Sequence, residues 1–178
     1  MEHVTIGKQY GEGKVVYAEC AANGDLSRAE SGGNSFLLVC LFEGTLRFSA
    51  GGRSYVGEAP CFLCFDEREE PVFENTAGAR YACVWFHPLF LNVNMTLSRI
   101  RSVEYEDMAS VHDLFLLRPF LDGGYIVPAT AERLASAEHA CRCMERELRE
   151  QRDCRLKVLS RYFRVYLWFD LQILPLEV

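Results

Sequence analysis

The stretch "SFLLVCLFEGTLRFSAGGRSYV" (35–56) constrains this chain more than any other. "SFLLVCLF" (35–42) is a buried apolar run. Glu43-Gly44 reads as a tight turn, and "TLRFSA" (45–50) returns with alternation. Gly51-Gly52 forms a two-residue hairpin turn before "RSYV" (53–56). The same rhythm holds on either side, in "KVVYAEC" (14–20), "CFLCF" (61–65), "VFEN" (72–75) and "RYACVWF" (80–86). Between them lie breaks at 57–60, in the acidic "DEREEP" (66–71), at 77–79 and at His87-Pro88. Short strands at roughly ten-residue spacing predict a small antiparallel barrel or sandwich over 14–90. Residues 1–13, with Gly7, Gly11 and Gly13, read as a loose arm, and 23–34 as a polar, Gly-rich loop.

After residue 88 the period changes. Residues 91–130 read as a connecting segment with short helices. Thr130 has the character of an N-cap, with Glu132 well placed for the helix dipole. From there Leu134, Ala137, Cys141, Met144 and Leu148 recur at spacings of three and four, a seam one face wide. "EQRDC" (150–154) breaks the helix. A second helix follows, with Leu156, Leu159, Phe163, Leu167, Leu171 and Leu174 on one stripe and Val158, Tyr162, Val165, Phe169 and Ile173 on another. One stripe can pack on the first helix or on the strands. The other needs a partner, because a helix apolar nearly all round is a buried helix. The reading is a helical hairpin over 131–178 that forms a homodimer. Its interface is expected at Met144, Leu148 and the Leu156–Leu174 stripe, with Arg142, Arg149, Lys157 and Arg164 on the rim.

Charge and cysteine usage narrow the classes. The formal charge is −6, which argues against nucleic-acid binding by the chain as a whole. The acidic excess sits in the first 130 residues, and 131–178 is nearly balanced. The sequence shows no basic-then-apolar leader and no apolar stretch near the ~20 residues of a membrane span, so a cytoplasmic location is expected. Of the eight cysteines, Cys61 and Cys64 form a C-x-x-C. They lie on a strand, where residues three apart point to opposite faces, and so could not share a metal. Cys141 and Cys143 are separated by roughly 200° around a helix. The thiols read as small, reduced, apolar residues.

A small barrel raises the question of a metal enzyme. A metal-binding barrel of the cupin type needs His-x-His on one strand, since alternate residues face the same way. His3, His87, His112 and His139 include no such pair. No metal, no cofactor and no catalytic group is expected, and His87 reads as a strand-terminating residue bonded to nearby backbone. What remains is a pocket. Tyr17, Arg47, Tyr81 and Trp85 place polar and aromatic groups in otherwise apolar strands, the character of a small-molecule site. Tyr81, Cys83 and Trp85 share one face of their strand. Arg80, Ala82, Val84 and Phe86 share the other, and sequence does not say which looks inward.

"FEGTLRFSAGGRSYVGEAPCFLCF", "VWFHPLFLN" and "LFLLRPFLDGGYIVPATAERLASAEHACRCMERELREQ" resemble, in order and spacing, the N-terminal cupin-like domain of AraC-family transcription regulators. The resemblance spans roughly residues 35–174. It implies a mainly β fold with C-terminal α structure: a small antiparallel cupin-like barrel (a double-stranded β-helix) followed by a dimerising helical hairpin. It implies a small-molecule effector in the barrel, at Tyr17, Arg47, Tyr81 and Trp85. It implies DNA binding only through a further domain, expected beyond Val178. The "DEREE" loop departs from the family's shorter turn, so a shared sugar chemistry does not carry over. The alternatives are a free-standing cupin enzyme, of sugar isomerase or dioxygenase type, and a dimerisation scaffold without an effector.

Overall fold

The computed structural model describes residues 4–6, 15–27, 34–91, 95–102 and 117–150, and of 4–6, 15–17 and 149–150 the backbone alone. Two antiparallel sheets and one long helix dominate. The strands are β1 (Val4–Ile6), β2 (Val15–Ala22), β3 (Phe36–Glu43), β4 (Thr45–Ala50), β5 (Arg53–Glu58), β6 (Cys61–Phe65), β7 (Val72–Asn75), β8 (Arg80–Phe86) and β9 (Ile126–Pro128). A 3-10 turn (Pro88–Phe90) and three helices, α1 (Leu97–Arg101), α2 (Arg118–Leu121) and α3 (Ala131–Glu150), complete the described elements. The larger sheet runs β1-β2-β8-β3-β6-β9 and the smaller β5-β4-β7. The two sheets do not close into a barrel.

The seven strand segments read from the sequence are all present, but some connections differ. Gly51-Gly52 makes the expected hairpin, with both residues at positive φ and Ala50 paired to Arg53. Glu43-Gly44 does not. β3 pairs with β6 and β8, whereas β4 pairs with β5 and β7, so Gly44 is a corner where the chain leaves one sheet for the other. Its φ is +82°, and a Cβ there would stand 2.7 Å from the Gly78 carbonyl oxygen, so only glycine fits. The chain changes sheet again between β5 and β6, between β6 and β7 and between β7 and β8. Part of the expected arm is β1, paired with β2 through Val4↔Tyr17 and Ile6↔Val15. β9, which pairs with β6, falls inside the expected connecting segment.

The larger sheet is covered on both faces, which explains the unbroken apolar run in β3. Phe36 to Leu41 are all 0% exposed. Phe36, Leu38 and Cys40 face the helices together with Phe62, Cys64, Val84 and Phe86. Leu37, Val39 and Leu41 face the smaller sheet with Leu63, Phe65 and its Leu46 and Phe48. Alternate side chains of one strand therefore feed two separate cores. Cys61 and Cys64 fall into different cores, as strand geometry requires.

Thr130 caps α3 as expected: Arg133 N–H donates to Thr130 Oγ1 at 3.3 Å and Leu134 N–H to the Thr130 carbonyl at 3.0 Å. Leu134, Ala137, Cys141, Met144 and Leu148 are all buried against the helix-side face of the chain's own sheet. That corrects the placing of Met144 and Leu148 in a dimer interface, since both are 0% exposed within the single chain. The interface residues expected at Leu156, Leu159, Phe163, Leu167, Leu171 and Leu174 lie outside the described residues. The acidic loop is tied to α1. Arg101 of α1 bridges Asp66 and Glu67, the latter at 2.8 Å, and Asp66 also accepts the Arg68 backbone N–H at 2.8 Å.

Because Leu148 is core, Leu148→Ala is expected to lower stability by about 2–5 kcal/mol. Urea denaturation should show the same loss at every protein concentration. A residue acting only between subunits would give a loss that changes with concentration.

Candidate functional site

β8 presents Tyr81, Cys83 and Trp85 to the space between the sheets and Ala82, Val84 and Phe86 to the helices. The expected site residues separate accordingly. Tyr81 and Trp85 come together on the inner face, 5% and 4% exposed. Arg47 does not join them. It alternates with Leu46 and Phe48, which are buried, and so stands exposed on the outer face of β4, opposite Val56. The parity of β4 decides this: its apolar residues take the inner positions, and the guanidinium keeps its water. Tyr17 lies in β2 opposite Val4, and its side chain is outside the described residues.

The polar atoms of the inner face converge on one loop. Tyr81 Oη donates to the Gly24 carbonyl at 3.0 Å, and Trp85 Nε1 donates to the Asp25 carbonyl at 3.2 Å. Cys83 Sγ lies 3.7 Å from the Ala21 and Asp25 carbonyls. Asn23, at φ +46°, clamps the strand from both sides. Its N–H donates to the Tyr81 carbonyl at 2.9 Å, and its Oδ1 accepts the Tyr81 N–H at 3.0 Å. Leu26 then turns into the inner core. The segment 23–27 thus lies over the β8 side of the inner face, held by the side chains a ligand would meet. Burial pushes the Tyr81 phenol up and the Cys83 thiol up to about 12.

Further along the same core is an aromatic cluster. Tyr55 and Tyr125 meet edge to face at 5.1 Å between centroids, and Phe65 stacks on Tyr125 at 5.5 Å. Burial, with a hydrogen bond to Glu69, pushes the Tyr125 phenol up to about 12. Tyr125 sits at φ +53° and its carbonyl accepts the Cys64 N–H at 2.8 Å. Sequence reasoning missed this residue because it lies in a segment read as a connector, with no strand signal around it.

A second feature lies on the helix side. A cleft of about 170 Å³ opens between α3 and the ends of β2 and β8, lined among others by Phe42, Arg80, Glu138, Cys141 and Arg142. Arg80 spans it, donating to Glu43 at 2.8 and 2.9 Å and to Glu138 at 2.8 Å, with its guanidinium 5.1 Å from the Phe42 ring centre. The alternation of β8 put Arg80 on the face away from Tyr81, but only the docking of α3 makes that face a cleft. His87 caps the 3-10 turn: its Nδ1 accepts the Leu89 N–H at 3.1 Å. Among the described residues, no group of three or more His, Cys, Asp or Glu side chains is arranged to hold a metal ion. No described helix is long and apolar enough to cross a membrane.

No protein-family model matches this chain, and no curated protein matches it. The site therefore has to be read from its own geometry.

Two outcomes are expected. Tyr81→Phe removes the donor to Gly24 and should cost about 0.5–1.5 kcal/mol. Limited proteolysis should show faster cleavage within 23–27, with the remainder of the chain protected. Stability should also fall at alkaline pH. The Cys83 thiol keeps its proton in the fold up to about pH 12, whereas an unfolded cysteine loses it near 9. Between those values the unfolded chain binds fewer protons, so unfolding becomes easier as pH rises. Denaturation midpoints under reducing conditions at pH 8, 10 and 11 should decline in that order.

Proposed function

We propose that this chain is the sensing and dimerising part of an AraC-type transcription regulator, with a cupin-like β unit that takes a small effector and a helical hairpin that pairs two copies. The path of the chain supports the fold. Its strands change sheet four times, at Gly44, between β5 and β6, between β6 and β7, and between β7 and β8. Such exchange between two packed sheets is the habit of jelly rolls, the architecture to which cupins belong.

The observation that carries the functional reading is that α3 buries two strips. One, from Leu134 to Leu148, packs on the sheet. The other, Ala140, Cys143 and Glu147, is also buried and belongs to neither of the two cores. Its spacing of three and four makes it a narrow ledge suited to one stripe of a following helix. The sequence 155–174 brings two stripes. With the α3 seam occupied by the sheet, the ledge can seat only one of them, and a second copy is the natural cover for the other. An enzyme barrel has no need of such a hairpin. The effector reading rests on Tyr81 and Trp85 beneath the 23–27 segment, whose carbonyls an entering ligand would displace. DNA would be reached only through another domain.

The test is sedimentation velocity at micromolar concentration. The parent chain should run as a dimer. Leu167→Glu with Leu171→Glu should run as a monomer with an unchanged β-type circular dichroism spectrum, because a charge buried without a partner costs several kcal/mol. A monomeric parent would overturn the proposal. For the effector, Trp168→Phe leaves Trp85 as the sole tryptophan. Its emission should shift on titration with a ligand that enters the inner face.

A further inference from the structure

Three thiols meet where α3 packs on the sheet. Cys20 of β2 and Cys40 of β3 flank β8, level with Val84 and Ala82 respectively. Both face the helix, and Cys141 of α3 comes down between them. Cys20 Sγ donates to the Cys141 carbonyl oxygen at 3.4 Å. So close an approach needs small residues at the contact, and Ala18, Ala82 and Ala137 supply them. Cys141 is the only one of the three to line the 170 Å³ cleft, where Arg80 and Arg142 put guanidinium groups on the wall. The sheet therefore holds two thiols in reserve beneath a third that a small molecule can approach.

We propose that Cys141 is a peroxide-reactive thiol reached through this cleft, and that Cys20 resolves it to a disulfide joining α3 to β2. The co-reactant is a small hydroperoxide. The Cys141 thiolate attacks its terminal oxygen, the O–O bond breaks, and the leaving alkoxide takes up the proton the thiol released. Cys141 is then a sulfenic acid. The Cys20 sulfur attacks the Cys141 sulfur, the S–O bond breaks, and hydroxide leaves with the Cys20 proton as water. Two thiols are oxidised to one disulfide, and one hydroperoxide is reduced to an alcohol and water. The Arg80 and Arg142 N–H groups can hold the peroxide oxygens and the departing alkoxide.

The surrounding electrostatics agree with this choice of thiol. The neighbouring Cys20 and Cys40 thiols hold Cys141 below the ordinary thiol value, against burial and the Glu138 and Glu145 carboxylates. Burial instead pushes Cys61 up to about 11 and Cys83 up to about 12. Cys64 is raised further, and Cys20 is raised as well, so its attack on the sulfenic acid rests on its place beside Cys141 and not on its acidity. The inference is independent of the effector reading. It concerns the opposite face of the sheet, and it stands or falls without reference to oligomeric state.

The reduced chain would be treated with hydrogen peroxide at neutral pH, its remaining thiols blocked with iodoacetamide, and the digest mapped by mass spectrometry without reduction. A Cys20–Cys141 cross-linked peptide is expected, reversed by dithiothreitol and formed about ten-fold faster than Cys61 or Cys64 is oxidised. In Cys20→Ser, dimedone should trap a sulfenic acid on Cys141. Cys143→Ser, which removes the thiol 3.6 Å from His139, should leave the cross-link rate unchanged. A Cys141 that stays reduced while other thiols oxidise would overturn the proposal, as would a cross-link to Cys40 in place of Cys20. The parent-chain measurement needs no variant to fold.

Discussion

The pairing of β3 with β8 is the contact on which the rest of this structure depends. β8 lies between β2 and β3, and β3 lies between β8 and β6, so neither strand has a free edge among the described residues. Their backbone groups satisfy one another away from water, where an unpaired N–H or carbonyl would be costly. Their side chains then serve two cores at once. Phe36, Leu38, Val84 and Phe86 form the floor on which α3 packs, and Leu37, Val39, Cys83 and Trp85 form the roof over the smaller sheet. Each large side chain so buried contributes about 1.5–3 kcal/mol. A loss at this pair would loosen both layers together.

The two candidate sites are opposite consequences of that one strand pair. On the inner face, Tyr81 and Trp85 are too large and too polar at the tip to be covered by aliphatic residues alone. Segment 23–27 supplies carbonyls for their donors and Leu26 for their rings. On the outer face the same strand places Ala82, the smallest side chain available short of glycine, beside Cys40, and Val84 beside Cys20. There Cys141 of α3 packs in the same core as both thiols. Inner and outer side chains alternate residue by residue along β8, so the two sites share one strand.

Much of this was legible in the sequence, and the failures have physical causes. The strand segments, the Gly51-Gly52 hairpin, the Thr130 cap and the α3 seam all follow from local rules of period, turn and cap, which act over a few residues. The role of Gly44 does not. A glycine at positive φ serves a hairpin and a corner equally well, and only the partners of β4 distinguish them. Arg47 interrupts an apolar run and so reads as a pocket residue, yet the alternation of β4 places it with Thr45 and Ser49 on the outer face. Nor does any local pattern pair Asp66 with Arg101, thirty-five residues later.

By itself, then, the sequence determined where the chain extends, turns and coils, and that one long amphipathic helix follows a set of strands. These properties depend on neighbours a few positions away. Tertiary structure alone decided which strands pair, which face of β8 looks inward, and that Met144 and Leu148 belong to the chain's own core. It alone brought Cys20, Cys40 and Cys141 together across 121 positions of sequence. Those outcomes depend on how two sheets and a helix bury their apolar faces at the same time, a condition on the whole chain that no local pattern encodes.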